Sequence, residues 1–374
     1  MRVDVIGAGI AGLAVASGLQ RAGATVTVRE RCPNATQNGS GLSLFTNGFT
    51  ALDVLGLADP VRAVAGIPPK LPSGIRRRDG RWMARFSTAA IADLRIVERQ
   101  RLHDVLLGSL RPGTVRFSSP VRGQAFSAST GARLSDADVI VAADGIRSEV
   151  RTAWPGDPGV RCAGYFAFRG ITAEPVRLDA LGETWGPGRR FGVAPLSDGR
   201  VYWFATYSAP RHEPPLDPAR LRELFAGWHS PIEAIITATA PDAVTMLPVE
   251  ELSHCPPSLH KDNVVLLGDA AHAMTPNLGQ GANLALEDAA TLVRLLAPHT
   301  SASRPPDADV RRALQTYQRS RRPRVAAIAR RARRLGEVGQ WRNPGAVWAR
   351  DTSITRLPDA LMNAATVRLQ SWKP

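Results

Sequence analysis

The sequence predicts an α/β fold with three parts: a Rossmann-like parallel sheet with flanking helices, a second domain built on a mixed β-sheet, and helices at the C-terminus. Short apolar runs that end in glycine-rich turns predict the parallel sheet. Aromatic-rich segments on either side of a turn at 197–199 predict the mixed sheet. Ala-, Leu- and Arg-rich stretches after residue 281 predict the last helices.

The N-terminal strand leads directly into a dinucleotide-binding turn. Val3, Val5 and Ile6 form an apolar run, and the spacing G-x-G-x-x-G follows it. Such glycines allow a sharp turn, a close backbone approach to a pyrophosphate, and tight helix packing. A second strand, 25–28, ends near an acid placed to bind a ribose diol. The residues predicted to bind a dinucleotide here are Gly7, Gly9, Ile10, Ala11, Gly12, Glu30 and Arg31.

A second glycine-rich turn lies far downstream, after the apolar run 263–267. Asp269 follows Gly268 at the end of a predicted parallel strand, where a carboxylate points into the ligand crevice. The loop that follows leads into a helix whose N-terminus stabilises negative charge. Two distant turns imply one long ligand held at both ends, and FAD is long enough. The loop residues predicted to line it are Pro276, Gly279, Gln280, Gly281, Ala282 and Asn283.

A third motif lies between the two glycine-rich turns, and the three motifs together resemble those of a known enzyme family. Ala143-Asp144-Gly145-Ile-Arg147-Ser148-x-x-Arg151 lies between G-x-G-x-x-G and Gly268-Asp269-Ala-Ala-His272. In this order the motifs resemble the single-component (group A) FAD-dependent aromatic hydroxylases, the para-hydroxybenzoate hydroxylase-like flavoprotein monooxygenases. The resemblance covers Met1 to about Arg334. It implies a Rossmann-like FAD-binding domain of the GR2 type, reduction by NADPH or NADH, and O2 as co-substrate. It also implies hydroxylation of a small aromatic or heteroaromatic compound through a flavin C4a-hydroperoxide.

The resemblance also implies roles for individual residues. Glu30 holds the adenosine ribose, Asp269 holds the ribityl chain, and 279–281 line the flavin ring. Asp144 serves FAD and the nicotinamide phosphate side, with help from Arg151. The remaining residues that the resemblance places at the cofactor are Gly41, Leu42, Arg99, Val121 and Gly145.

Substrate and catalytic residues are less constrained by the motifs. Matching positions in the family's urate hydroxylases make Arg190 and Tyr202 substrate candidates, but those enzymes have an acid where this chain has Asn277, so urate is not predicted. Phe168 and Pro276 are further substrate candidates. His272 is the one candidate catalytic side chain, and its alternative role is to pack or orient the turn. No Ser-His-Asp, Cys-His or metal-ligand pattern stands out, as expected when a cofactor carries the chemistry.

The motifs divide the chain into a discontinuous FAD-binding domain (1–68, 95–158 and 258–338), a substrate-binding sheet domain (69–94 and 159–257) and a C-terminal helical tail (339–374).

The chain has 374 residues and a net charge of +14. Its densest basic run, 319–334, is interpreted as a solvated helix face, so no nucleic-acid partner is expected. The absence of a signal peptide, of a long apolar stretch and of paired-cysteine spacing predicts a cytoplasmic protein with no stable membrane span. A monomer or homodimer is expected, but the sequence does not decide between them.

Three alternatives remain open from the sequence. Two keep the cofactor: an epoxidase of an alkene or fused-ring metabolite, and a flavin reductase or oxidase that transfers no oxygen. The third is a basic protein that binds nucleic acid or another polyanion and only retains the fold.

Overall fold

A computed structural model describes residues 1–35, 40–67, 70–122, 136–209, 220–301 and 305–374. The strands of these residues, numbered in chain order, are β1 Arg2–Ile6, β2 Thr25–Arg29, β3 Gly41–Leu44, β4 Ser73–Arg77, β5 Trp82–Phe86, β6 Arg95–Glu98, β7 Val115–Arg116, β8 Val139–Ala142, β9 Val160–Ile171, β10 Leu181–Gly186, β11 Arg189–Pro195, β12 Val201–Ser208, β13 Thr245–Leu252, β14 His260–Lys261 and β15 Val264–Leu266.

The α-helices of the same residues are α1 Ile10–Arg21, α2 Thr46–Leu55, α3 Ala58–Val64, α4 Arg99–Gly108, α5 Glu149–Thr152, α6 Leu221–Leu224, α7 Ile232–Thr237, α8 Asp269–His272, α9 Gly281–Leu296, α10 Asp307–Gly339, α11 Pro344–Arg356 and α12 Asp359–Gln370. Two short 3₁₀ turns, Thr88–Ile91 and Pro276–Leu278, also border the site described below. Within the described chain, no helix combines the length and the apolar character needed to cross a membrane.

The first large sheet has six strands in the order β14-β15-β8-β1-β2-β7. All of its pairings are parallel except that of β14 with β15. At its centre, Val3 of β1 lies opposite Val26 of β2 and Val139 of β8. Because the parallel strands run in register, the segments that follow β1, β2, β8 and β15 meet at one edge. The sequence motifs follow these same strands.

Helix α1 packs closely on this sheet and its neighbours because its buried face is built from small residues. Gly18 shows how close the packing is: a Cβ atom there would lie 2.7 Å from side-chain atoms of both Leu55 and Val293. These two residues belong to α2 and α9. The N-terminal turn and the downstream helix are therefore held together by direct helix contact.

The second large sheet has seven strands in the order β13-β9-β12-β11-β10-β4-β5. Its pairings are antiparallel except that of β10 with β4. One face is an aromatic core in which Phe191 and Trp203 stack with ring centroids 5.5 Å apart. Helices α6 and α7 cover that face through residues such as Leu221 and Ile235. The opposite face is left to line the site.

The C-terminal helices fold back onto the sheet domain. Along α12, Asp359 Oδ1 accepts a hydrogen bond from the Arg85 amide (3.1 Å), and Asn363 Oδ1 accepts one from the Ser87 amide (3.0 Å). Gln370 Nε2 donates to the Ala90 carbonyl oxygen (3.1 Å). The predicted α/β fold, with its parallel sheet, mixed sheet and C-terminal helices, is confirmed. We propose the predicted domain boundaries for these parts, although residues 68 and 69, at one boundary, lie outside the described chain.

Candidate active site

The three motifs meet at the carboxyl edge of the parallel sheet. The Gly7 amide donates to the Arg29 carbonyl oxygen at 2.8 Å, and the Ala143 amide donates to the Ile6 carbonyl oxygen at 2.8 Å. Gly7 has φ +99°, and a Cβ atom there would lie 2.4 Å from the Ala143 carbonyl oxygen. A side chain at this position would be strained and would also clash. Glycine therefore lets the first turn pass directly beside the middle motif.

A cavity of about 380 Å³, here named the turn cavity, opens between these segments. Glu30 is fixed in its wall because its carboxylate accepts hydrogen bonds from the amides of Ala8 (2.8 Å) and Cys32 (2.9 Å). Burial raises the pKa of Glu30, but these amide hydrogen bonds outweigh burial and leave it below its ordinary value. The predicted residues that line the turn cavity are Gly7, Gly9, Glu30, Arg31, Val121, Asp144 and Gly145.

Asp144 offers an unused acceptor to the turn cavity. Its Oδ2 accepts a hydrogen bond from the Glu149 amide at 2.9 Å. Its Oδ1 is buried and has no hydrogen-bond partner among the described residues. Burial raises the pKa of this carboxyl group. A buried oxygen without a partner is costly, so the site fits a ligand that donates a hydrogen bond at this position.

A second cavity of about 370 Å³, here named the central cavity, continues from the first. The two cavities share Gly9, Ala143 and Gly145 as wall residues. A Cβ atom at Gly9 would meet nothing within 4 Å, so the backbone is open to a ligand there. The predicted residues that line the central cavity are Gly9, Ile10, Ala11, Gly41, Leu42, Arg99, Gly145, Arg190, Tyr202, Asp269, Pro276, Gly279, Gly281 and Ala282.

Charged side chains face each other across the central cavity. Asp269 is the first residue of α8, and its negative charge acts on Arg99. Burial lowers the pKa of Arg99 despite that charge. Tyr202 is half-buried, and desolvation raises the pKa of its phenol although Arg169 and Arg99 oppose the shift. The phenol therefore stays protonated at neutral pH and can donate a hydrogen bond.

Two residues of the downstream loop act behind the cavity wall. Asn283 accepts a hydrogen bond from the Phe45 amide and donates to the carbonyl oxygens of Ser43 and Gly279, each at 2.9 Å. Asn283 does not line either cavity but fixes the loop that does. Gln280 accepts from Asn47 Nδ2 at 2.9 Å, and its buried Nε2 has no partner among the described residues.

The far wall of the central cavity combines polar and aromatic groups on the second sheet. Arg190 is 2% exposed and donates from Nη2 to Asn277 Oδ1. Its Nη1 lies 3.4 Å from Glu183 Oε2, and its Nε is without a partner in the described chain. Glu183 retains 24% side-chain exposure and faces the cavity. Tyr202 and Phe204 stand beside this charge pair.

The residues present fit FAD. The turn cavity and central cavity together have room for a long ligand, with the fixed Glu30 carboxylate, the Asp269 carboxylate and an unused acceptor on Asp144 along their walls. Helix α9 begins at Gly281 and places its N-terminus at the central cavity, where it stabilises negative charge. No cluster of His, Cys, Asp and Glu in the described chain could hold a metal ion.

Comparison with known proteins identifies the family. The model of the FAD binding domain family matches residues 1–332. This chain belongs to the FAD-dependent aromatic monooxygenases. It is 33% identical to aurachin C monooxygenase/isomerase from Stigmatella aurantiaca, over 100% of this chain and 99% of that protein. It is also 33% identical to 2-heptyl-3-hydroxy-4(1H)-quinolone synthase from Pseudomonas aeruginosa, over 96% and 95% of the two chains.

Solved structures agree with this assignment. HpxO from Klebsiella pneumoniae, complexed with FAD and uric acid, superposes with a TM-score of 0.84 and 26% identity, covering 99% of this chain and 96% of that one. The predictions of an FAD-dependent monooxygenase that uses NAD(P)H and O2 are confirmed.

Several residues predicted for this monooxygenase lie away from both cavities. Phe168 is fully buried in the aromatic core and stacks on Tyr207 with centroids 5.6 Å apart. Side chains alternate along β9, so Ala167 and Arg169 face the central cavity instead. The structure therefore does not bring Phe168 to the substrate site. Arg169 and Phe204 line the cavity, and that alternation was the sequence signal that could have located Arg169.

Arg151 is also buried, away from both cavities. It is 1% exposed and donates to Asp157 Oδ1 (2.7 Å) and to the carbonyl oxygens of Ala270 (3.1 Å) and Ile146 (2.7 Å). These contacts tie the middle motif to the Gly-Asp turn. The guanidinium lines neither cavity, so the structure gives Arg151 a positioning role rather than the predicted contact near the cofactor.

His272 belongs to a buried ionic cluster behind the Gly-Asp turn. It is 2% exposed, and its Nε2 lies 2.5 Å from Asp288 Oδ2. The same carboxylate accepts from the Gly268 amide (3.1 Å), and its Oδ1 accepts from Arg321 Nε (2.7 Å). His272 lines neither cavity, which favours its predicted alternative, orienting the turn. Gly268 and Gly12 likewise shape the turns without lining the cavities.

Proposed function

We propose that this monooxygenase hydroxylates a nitrogen heteroaromatic ring that presents an N–H group to Glu183. The supporting observation is the position of the Glu183 carboxylate, which faces the central cavity between the Arg190 guanidinium and the aromatic wall. A carboxylate accepts hydrogen bonds and donates none when ionised, so it selects a ring with a donor. Two 33%-identical relatives are named for aurachin C and for a 4(1H)-quinolone, and the second name itself specifies such a ring N–H.

Arg190 contacts the uncharged amide of Asn277 as well as the Glu183 carboxylate. Asn277 Oδ1 accepts from Arg190 and from Tyr165 Oη (3.2 Å), and its Nδ2 donates to the Ala332 carbonyl oxygen (2.9 Å). The amide is therefore satisfied by the protein and leaves Glu183 as the carboxylate nearest Arg190. This arrangement supports recognition through Glu183 and fits the earlier expectation that urate is not the substrate.

The protein's part in the reaction is to bind, orient and exclude water. Bound FAD supplies the redox chemistry: it accepts two electrons from NAD(P)H and activates O2, so that one oxygen atom enters the ring and the other leaves as water. Asp269 and Arg99 hold the cofactor side of the central cavity, and Tyr202 and Phe204 wall the substrate side. Exclusion of water by this aromatic wall would keep reducing equivalents from being lost to peroxide.

The test uses the FAD-loaded enzyme, NADPH or NADH, and a 2-alkyl-4(1H)-quinolone. Substrate-stimulated flavin reduction and one ¹⁸O atom from ¹⁸O2 in a hydroxylated product are expected. Glu183→Gln keeps the side-chain size and removes the charge, so kcat/KM falls by roughly 10- to 100-fold, the range expected for a lost charged hydrogen bond. Turnover that only produces hydrogen peroxide, or a Glu183→Gln enzyme with unchanged kcat/KM, contradicts the proposal.

We also propose that the enzyme acts in the cytoplasm as a monomer or homodimer without a nucleic-acid partner. Two observations support the cytoplasmic location and the lack of a nucleic-acid partner. In the described chain Cys32, Cys162 and Cys255 form no disulfide. The basic run 319–334 is not the fully solvated helix face that was expected, because Arg321, Arg324 and Arg333 pair with buried carboxylates and are not free to bind a polyanion.

A further inference from the structure

We propose that a third cavity, here named the apolar cavity, binds a hydrocarbon tail attached to the substrate ring. This inference rests on the proposed function, because it assumes that the ring lies in the central cavity. The apolar cavity has a volume of about 280 Å³. It adjoins the space assigned to the ring, and the sequence did not predict a hydrocarbon site there.

The apolar cavity continues from the central cavity along the same face of the seven-stranded sheet. Both are lined by Glu183, Tyr202, Phe204, Pro276 and Asn277. Strands β10, β11 and β12 contribute to the shared end, and β4 and β5 form the floor farther out. A molecule whose ring contacts Glu183 can therefore extend directly into the apolar cavity.

The two cavities meet at Phe204. Its ring covers Gly192 on the neighbouring strand so closely that a Cβ atom at Gly192 would lie 2.1 Å from it. A side chain at position 192 would therefore displace the Phe204 ring from its place beside both cavities.

The walls of the apolar cavity match a hydrocarbon. They include Ile75, Leu94, Ile96, Leu181, Leu335 and Leu369. Two polar groups at this wall are turned to protein partners: Trp185 Nε1 donates to Glu183 (2.7 Å), and Gln370 Nε2 donates to the Ala90 carbonyl oxygen (3.1 Å). Gln280 also lines the cavity, and its Nε2 has no partner among the described residues. Water is held poorly where polar partners are few, so aliphatic groups gain by filling such a space.

The outer wall is built by the C-terminal helices. Leu335 comes from α10, and Thr366 and Leu369 come from α12. The hydrogen bonds from Arg85 and Ser87 to Asp359 and Asn363 hold α12 against β5 and the loop after it. The cavity is thus closed by a firmly attached element. Its size and its link to the ring site favour a substrate tail over an independent ligand, and one relative is named for a heptyl-substituted quinolone.

The experiment compares 4(1H)-quinolones that carry a 2-methyl, 2-propyl or 2-heptyl group on the FAD-loaded enzyme. Affinity is read from the perturbation of flavin absorbance, and turnover is read separately as kcat/KM. Each added methylene should tighten binding by about two- to fourfold, since its burial is favourable but part of the gain is lost in ordering the tail. Equal dissociation constants across the series would overturn the proposal. If no compound in the series is hydroxylated, the proposed function fails instead, whatever the binding trend.

Blocking variants locate the tail. Ala194 lines the apolar cavity but not the central cavity, so Ala194→Trp fills the former. It should lower the heptyl-to-methyl ratio of kcat/KM at least tenfold. Ala364→Trp adds the same side chain on the exposed side of α12 and should leave the ratio unchanged. Leu94→Trp provides a second block in a half-buried loop if Ala194→Trp does not fold with FAD.

Two results would contradict the assignment. One is an unchanged ratio in a folded, FAD-containing Ala194→Trp or Leu94→Trp enzyme. The other is simultaneous binding of decanol and the heptyl compound, because a separate hydrocarbon site would allow both. Competition between decanol and the heptyl compound, with no competition against the methyl compound, is the expected outcome.

Discussion

Asp269 illustrates how one side chain connects the sequence to the cofactor site. It begins α8 at the carboxyl end of β15 and lines the central cavity with Arg99. We expect Asp269→Ala to weaken FAD binding by roughly 10- to 100-fold, because a charged acceptor for the cofactor is lost. Fluorescence titration of the apoprotein with FAD measures this.

Asp93→Ala is the matched control, since Asp93 is an exposed carboxylate outside both cavities. Its FAD affinity should equal that of the unmodified chain. An Asp269→Ala protein that retains normal FAD affinity would remove Asp269 from the cofactor site.

The motif position of Arg151 suggested contact with a ligand, but its guanidinium donates to three protein groups, which indicates a structural role. Arg151→Ala leaves the Asp157 carboxylate and two carbonyl groups without their donor. The free energy of unfolding should fall by about 3–5 kcal/mol, as for other buried charged partners. Urea unfolding of the apoprotein provides the value.

Arg147→Ala serves as the comparison within the same motif. Arg147 is 65% exposed and pairs with Glu250 at 2.8 Å, so its loss should cost no more than about 1 kcal/mol. Unchanged stability of Arg151→Ala, combined with slower flavin reduction, would restore the original prediction that Arg151 contacts a cofactor.

At the scale of elements, α9 is anchored to its surroundings by a buried charge cluster. Asp288 and Glu287 are 0% exposed and pair with Arg321 at 2.7 and 2.6 Å. Glu287 also accepts from Arg324, which reaches the Leu369 carbonyl oxygen of α12. The helix that begins at the flavin loop is thus tied to α10 and to the C-terminus.

This cluster predicts a specific dependence of stability on pH. Burial raises the pKa of Asp288, but His272 and Arg321 outweigh burial and leave that pKa below its ordinary value. A lowered pKa in the folded state contributes stability above the unfolded value of about 3.9 and loses it as pH falls through the folded pKa. The stability gap between the unmodified chain and Asp288→Asn should therefore be largest near neutral pH and shrink below about pH 4.

Urea unfolding of both proteins between pH 3 and 7 tests this dependence. Asp309→Asn, at an exposed pair near the start of α10, should show a small gap at every pH. A gap for Asp288→Asn that stays constant across the range would show that Asp288 ionisation does not support the fold.

The sequence predicted local turns and strand ends well. It predicted poorly which face of a strand a side chain takes and which distant residue it contacts. Gly7 and Asp269 were recognised because a turn and a strand end impose their requirements within a few residues. Phe168 was misplaced because β9 is apolar at several consecutive positions, and only the pairing with β12 decides which face each side chain takes. His272 was recognised as a candidate, but its partner Asp288 lies one helix away and cannot be found from spacing.

At the scale of the whole molecule, the site depends on segments that are distant in sequence. The turn cavity uses residues between positions 6 and 149, and the central cavity adds residues up to position 285. The apolar cavity needs α10 and α12, which close over β4 and β5. Such long-range closure leaves no local pattern, which is why the sequence did not predict this cavity.

We propose that two distant turns bind opposite halves of one FAD molecule. The most direct test is a calorimetric titration of the apoprotein with FAD, alone and in the presence of ADP or riboflavin. We expect one FAD per chain, a yellow complex, and competition from each half-molecule, since each occupies one of the joined cavities. A chain that folds but binds no FAD, or that binds FAD with unchanged affinity when both halves are present in excess, would contradict it.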